Sequence, residues 1–97
     1  MKTRHSSANV FRDLGFSPQE AENLRARADL MIELTKIIKA RRLTQAAAAK
    51  WLGVTQPRIS DLMRGKIDRF STDNLIEMLG HAGVRVNFVL KPRRKVA

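Results

Sequence analysis

The stretch Gln45-Ala-Ala-Ala-Ala-Lys-Trp-Leu-Gly-Val-Thr-Gln-Pro-Arg-Ile-Ser-Asp-Leu62 decides the fold of this chain. Its apolar residues recur at helical spacing on both sides of Gly53, which predicts two short helices joined by a sharp turn. Ala49 is small enough to let two crossing helices approach, and Gly53 tolerates the positive φ that such a turn needs. Thr55 is placed to cap the second helix, and Pro57 fits its first turn, where a missing N–H costs little.

Composition limits the classes of protein to consider. The chain has 97 residues, of which 43% are hydrophobic, and this is enough for one domain with an aliphatic core. It has no cysteine, which excludes disulfides, thiolate zinc sites and a thiol nucleophile. The N-terminus lacks the apolar segment of a signal peptide, and no apolar run reaches the roughly 18 residues of a transmembrane helix. We therefore expect a cytoplasmic protein with no membrane partner.

The positive charge is concentrated in the motif and the residues that follow it. Residues 1–35 have five basic and five acidic side chains, residues 36–69 have nine and two, and residues 70–97 have five and two, for a net charge of +10. A basic surface of this kind attracts phosphates and releases their counterions. Double-stranded DNA is therefore the expected partner.

The N-terminal arm, residues 1–16, contains a stretch that is too apolar for a free tail. We expect this stretch to pack on the helical body; the alternative is a docking segment that becomes ordered on a partner. Its candidate partner-binding residues are Val10, Phe11, Leu14 and Phe16.

A helical domain is expected over residues 17–83. Ser17 and Glu20 have the spacing of a capping box, which predicts a helix from Pro18 to about Arg41 or Arg42. Such a helix is longer than a small body needs, so a break near residues 27–29 is an open alternative.

Further helix limits follow from the cap residues. Thr44 is placed to cap the first motif helix, and Gly65 to end the second. Ser71 is placed to cap a last helix that runs to about Ala82.

The C-terminal region, residues 84–97, predicts a strand followed by a basic tail. Apolar and polar residues alternate from Val84 to Leu90, which is the period of a β-strand. Because a single strand cannot complete its own ladder, we expect it to pair with the same strand of a second subunit or with a partner protein. The residues predicted to form this dimer strand are Val84, Val86, Phe88 and Leu90.

The motif resembles the helix-turn-helix of Xre and phage-repressor proteins. The residues that carry this resemblance are Ala49, Gly53, Val54, Ile59 and Leu62, which have the motif's spacing. The resemblance implies a mainly all-α, lambda-repressor-like bundle of about four to five helices, with the one C-terminal strand used for pairing.

The layout of residues 8–92 is also similar to that of HigA-type antitoxins within the Xre family. The segments Asn9–Phe16 and Lys66–Ser71 point to this branch. Such proteins bind a RelE- or HigB-like toxin and repress their shared operon as homodimers. The alternative is a stand-alone Xre-type transcriptional repressor without a toxin partner.

In this family the second motif helix lies in the major groove. Because Ile59 and Leu62 must face inward, the outer surface contains the candidate base-contacting residues Gln56, Pro57, Arg58, Ser60 and Asp61. Glutamine suits adenine and arginine suits guanine. Asp61 suits cytosine, or it holds Arg58 or Arg64 in place. The candidate phosphate-contacting residues are Thr44, Gln45, Arg64, Lys66 and Arg69.

No catalytic or metal-binding pattern is present in the sequence. The two histidines are His5, in the N-terminal arm, and His81, at the end of a predicted helix, and no paired carboxylates, nucleophile–base pair or metal-ligand spacing stands out. We therefore expect no enzyme activity, no cofactor and no metal. Trp51, the one tryptophan, is expected to pack against the N-terminal helix, with a partner contact as the alternative.

Overall fold

A computed structural model describes residues 8–92, and all of its regular secondary structure is helical. The predicted all-α bundle is confirmed: the described residues form five α-helices and one short 3-10 helix. Their bounds are α1 Ala8–Asp13, α2 Pro18–Ala40, α3 Gln45–Leu52, α4 Gln56–Met63, the 3-10 helix Ile67–Arg69, and α5 Thr72–His81.

Helix α2 is continuous over its 23 residues, so the break considered near residues 27–29 does not occur. No glycine or proline interrupts α2 after Pro18, and Arg25 forms ion pairs along its surface with Glu22 and Asp29, both at 3.0 Å. The predicted capping box is present: Ser17 N donates to Glu20 Oε1 at 3.0 Å, and Glu20 N donates to Ser17 Oγ at 3.2 Å. Hydrogen bonds from the Ser17 backbone and side chain hold the pKa of Glu20 below its ordinary value.

The core lies between the C-terminal half of α2 and the helices α3, α4 and α5. Burial of aliphatic side chains stabilises it, by roughly 25 cal/mol for each Å² of apolar surface removed from water. Phe70, which follows the 3-10 helix and precedes the cap residue of α5, is 2% exposed and lies with Leu75 in this core. The largest fully buried side chains are Leu34, Ile38, Leu52, Ile59, Leu62, Phe70, Leu75 and Leu79.

The apolar N-terminal segment folds onto α2, but only part of it is covered. Residues of the expected arm form α1, and Phe11 is half-buried in a groove of about 500 Å³ that Met31 and Ile67 also line. Leu14 is 71% exposed, and Val10 and Phe16 are exposed as well. The expected packing on the helical body therefore holds for Phe11, while the other three side chains leave an apolar surface open to solvent.

The predicted C-terminal strand is not present in the described part of the chain. Residues 84–92 have no regular secondary structure, and the part of the prediction that assigned a strand to them is not supported. The physical reason is that a strand exists only through a ladder with a neighbour, and no other extended segment occurs between residues 8 and 92. Val84 N instead donates to Leu79 O at 2.9 Å, which completes the end of α5.

The turn between α3 and α4 requires glycine for two separate reasons. Gly53 has φ +71°, a left-handed backbone conformation that residues other than glycine rarely adopt. In addition, the imidazole of His81 lies over this residue, so that a Cβ at position 53 would be 3.1 Å from His81 Cε1. The geometry of the turn therefore couples α3 to the end of α5.

We predict that Gly53→Ala lowers the free energy of unfolding by about 1–3 kcal/mol, because alanine is strained at this φ. Urea denaturation monitored by circular dichroism measures the change. Gly80→Ala is the matched control: Gly80 is helical, and a Cβ there meets no atom within 4 Å. The control should stabilise the protein by up to about 1 kcal/mol, since alanine favours a helix more than glycine does. Equal effects of the two substitutions would contradict the argument.

Candidate nucleic-acid interface

Helix α4 presents one face to solvent and buries the other. Ile59 and Leu62 are fully buried, as the motif predicts, and Gln56 and Pro57 are exposed at the N-terminal end of the helix. Thr55 caps the helix by accepting a hydrogen bond from Arg58 N at 3.4 Å. The outward face of α4 therefore begins with an exposed amide side chain and an exposed proline ring.

The guanidinium of Arg58, the predicted guanine contact, is bound within the protein. Arg58 Nη1 donates to Arg69 O at 2.6 Å, and Arg58 Nη2 donates to Asn74 Oδ1 at 3.3 Å. The same guanidinium lies over the ring of Phe70, with its Cζ 4.3 Å from the ring centroid. The side chain thus connects α4 to the loop after it and to the first turn of α5.

Asp61 is paired with Arg69, and not with Arg58 or Arg64 as the sequence suggested. Arg69 Nη1 lies 3.2 Å from Asp61 Oδ2, and the Asp61 side chain is only 16% exposed. Asp61 O also accepts a hydrogen bond from Lys66 N at 3.0 Å. The side-chain carboxylate and the backbone carbonyl of Asp61 therefore both bind the loop that follows α4.

The residues predicted to contact phosphate lie around α3 and α4 at different exposures. Gln45, Arg64 and Arg69 are exposed, and Lys66 is half-buried. Thr44 Oγ1 accepts a hydrogen bond from Ala47 N at 3.1 Å, so this residue caps α3 as predicted. The first turn of α3 and the loop after α4 thus supply basic and polar groups before and after α4 in the chain.

Comparison with known proteins assigns the family. A family model described as a helix-turn-helix domain matches residues 10–91. A solved structure with the provisional name XRE family transcriptional regulator shares 36% sequence identity with a TM-score of 0.71, over 80% of this chain and 90% of that one. The chain is an Xre-type helix-turn-helix transcriptional regulator. None of the curated proteins matches it.

Sequence reasoning missed one residue of this Xre-type regulator that organises the loop after α4. Arg27, on α2, donates from Nη1 to Ile67 O at 3.2 Å and to Phe70 O at 3.1 Å. Its Nε donates to Asn23 Oδ1 at 2.8 Å. The available signal was its position: Arg27 lies between the buried residues Leu24 and Met31 of the apolar stripe, where a basic side chain needs an acceptor.

Trp51 is half-buried against the core of the regulator, beside the C-terminal end of α2. The guanidinium of Arg41, the C-cap residue of α2, lies over the indole with its Cζ 4.3 Å from the ring centroid. This arrangement favours the packing interpretation of Trp51 over a partner contact.

Two further features concern the described part of the regulator. Between residues 8 and 92, no group of three or more histidine, aspartate or glutamate side chains has an arrangement suited to a metal ion. No helix in this range is long and apolar enough to span a membrane.

Proposed function

We propose that this regulator binds a DNA operator through α4 and represses its own operon. The observation that carries the proposal is the exposed N-terminal end of α4, which begins with the solvent-exposed side chains of Gln56 and Pro57. In the helix-turn-helix geometry this end faces base edges in the major groove. Gln56 suits a bidentate contact with adenine, Pro57 an apolar contact with a thymine methyl, and Ser60 a hydrogen bond to either kind of base.

The phosphate contacts proposed for the operator come from both sides of α4. Gln45 and the backbone N–H groups after Thr44 suit a phosphate at the start of α3. Arg64, Lys66 and Arg69 suit phosphates beside the C-terminal end of α4. These contacts position the helix, while the residues at its N-terminal end select the sequence.

We expect the wild-type protein to bind its own upstream DNA more tightly than random duplex in a gel-shift titration at near-physiological salt. Gln56→Ala should weaken the free energy of operator binding by about 1–3 kcal/mol and relax selection at one base pair, because the side-chain amide that makes two hydrogen bonds to a base is lost.

With about five phosphate contacts in each of two subunits, the logarithm of affinity should fall against the logarithm of salt concentration with a slope near −9.

Lys36→Ala is the control variant for this titration, since Lys36 is an exposed basic residue of α2, outside the motif. It should keep the selectivity of the wild type. Equal binding of the wild type to operator and random duplex would contradict a sequence-specific regulator.

We propose that the operator is bound by a homodimer formed through the C-terminal segment. Phe88, Val89 and Leu90 are exposed, with Leu90 at 90%, and the backbone of residues 85–92 has no ladder partner among the described residues. An exposed apolar segment of this kind suits packing against its counterpart in a second copy around a two-fold axis. Two recognition helices would then lie about one helical turn of DNA apart, roughly 34–36 Å.

Phe88→Glu should convert the dimer to a monomer and weaken operator binding, because a charge would be buried at the pairing surface. Sedimentation equilibrium measures the mass of the assembly. Asn87→Glu adds the same charge at the neighbouring position and should leave the dimer intact, since it replaces an exposed polar side chain and removes no apolar contact. A Phe88→Glu variant that stays dimeric would exclude this surface.

We further propose that the regulator is an antitoxin that neutralises a RelE- or HigB-like toxin. The observation that favours a protein partner is the apolar surface of Val10, Leu14 and Phe16, which the fold leaves exposed. Exposed apolar clusters on small proteins often mark interaction sites. A stand-alone Xre-type repressor is the alternative, and it agrees equally well with the family assignment.

We expect the wild-type chain to co-purify with a small basic ribonuclease encoded beside it and to inhibit its cleavage of RNA. Leu14→Asp should abolish both effects, because it places a charge in the apolar surface. The same variant should keep wild-type operator binding, which shows that the fold is intact. Wild-type protein that binds the operator but not the toxin would favour the stand-alone repressor.

A further inference from the structure

We infer that Arg58 is a positioning residue for the DNA-contacting surface and not a base-contacting residue. It holds α4 to the loop Lys66–Ser71 and to α5, while Arg27 holds the same loop from the side of α2. This inference rests on the proposed DNA binding, and it assigns a role to each arginine. It leaves base selection to Gln56, Pro57 and Ser60.

The guanidinium of Arg58 has three partners within the protein. Two of its nitrogens have acceptors, Arg69 O at 2.6 Å and Asn74 Oδ1 at 3.3 Å, and its Cζ lies over the Phe70 ring, 4.3 Å from the centroid. A planar fork with two acceptors and a stacked ring is the arrangement that arginine provides and lysine does not. Hydrogen bonds from a charged donor are also stronger than those from a neutral one.

Asn74 both caps α5 and accepts the hydrogen bond from Arg58. Its Oδ1 accepts from Ser71 N at 3.3 Å, and its own N donates to Ser71 Oγ at 3.0 Å, which forms the capping box of α5. The bond to Arg58 therefore attaches α4 to the cap of α5. Because the cap is itself fixed by two hydrogen bonds, α4 is attached to a rigid group.

The loop Lys66–Ser71 is held from two sides, by α4 and by α2. Asp61 pairs with Arg69 and accepts from Lys66 N, so α4 holds the loop at two further points. From the opposite side Arg27 donates to Ile67 O and Phe70 O. The carbonyls of Ile67, Arg69 and Phe70 thus each accept from an arginine of another element, and the loop contains Lys66 and Arg69, both proposed phosphate contacts.

The position of Arg58 affects how the phosphate contacts of the loop and the base contacts of α4 are placed relative to each other. A base contact by Arg58 would require the guanidinium to leave both acceptors and the Phe70 ring, and Arg69 O would lose a charged donor. With Arg58 in place, the loop and the outward face of α4 keep one fixed separation. Phosphate contacts by the loop and base contacts by Gln56 then form together.

The experiment uses the full chain and measures two quantities for each variant: the melting temperature, and the affinity for the operator and for each of its single-base-pair changes. Affinity is measured well below every melting temperature, so that loss of folded protein does not contribute. The variants are Arg58→Ala, Arg58→Lys and Gln56→Ala. Arg58→Lys keeps the charge but loses the planar fork, and Gln56→Ala serves as the control for a base-contacting residue.

We expect Arg58→Ala to lower the melting temperature by about 4–8 °C and to weaken binding to all operator variants by a similar factor of about 10. Arg58→Lys should behave in the same way, since lysine cannot replace the two-pronged contact. Gln56→Ala should leave the melting temperature unchanged and lose discrimination at one base pair only.

Two results would overturn the inference. One is an Arg58→Ala variant that loses discrimination at a single base pair, as a guanine contact requires. The other is an Arg58→Lys variant with wild-type affinity and melting temperature, as expected for a phosphate contact that needs only charge. Wild-type protein that does not distinguish operator from random duplex would instead contradict the proposed function. In that case the melting temperatures of Arg58→Ala and Arg58→Lys still decide whether Arg58 holds α4 in place.

A second pair of variants tests the contribution of α2. Arg27→Ala removes the donor to Ile67 O and Phe70 O and should weaken binding to all operator variants alike. Arg25→Ala, two residues earlier on the same helix, removes only ion pairs at the surface of α2 and should leave affinity unchanged. Equal affinities of the two variants would show that the loop does not depend on Arg27.

Discussion

The burial of Phe70 is the constraint on which the arrangement of the proposed DNA-contacting surface depends. This side chain is 2% exposed, and it anchors in the core the loop that joins α4 to α5. With Phe70 fixed, the carbonyls on either side of it come within reach of Arg27 and Arg58. One aromatic anchor therefore allows two distant arginines to hold a loop that has only a single 3-10 turn of its own.

The surface around α4 combines two kinds of residue that look alike in the sequence. Gln56 and Arg58 both have long polar side chains near the start of a recognition helix, and either type can contact a base. In the folded chain Gln56 is exposed, whereas Arg58 is half-buried with its guanidinium on the protein. The two side chains therefore differ in the folded protein: Arg58 has intramolecular acceptors, and Gln56 is open to solvent.

Local features of the fold were predictable because they depend on few residues close together in the chain. At each of the four predicted helix starts, the side chain of the cap residue accepts a backbone hydrogen bond; these residues are Ser17, Thr44, Thr55 and Ser71. The C-terminal strand was predicted wrongly for this chain, because the alternating pattern from Val84 onward describes a strand only when a pairing partner is present. The spacing of apolar residues and the cap residues specify a helix or a strand, but they do not specify the segment that packs against it or pairs with it.

The sequence by itself determined the limits of α2 to α5, the helix-turn-helix motif and the side of α4 that faces the core, because capping, positive φ and helical spacing act over a few residues. Only the tertiary structure decided the contacts of Arg27, Arg58 and Asp61. Arg27 bonds to residues 40 and 43 positions away, and Arg58 to residues 11 and 16 positions away. Such acceptors become available only when the packing of Phe70 brings them into place, since no local pattern encodes the distance between two separate elements.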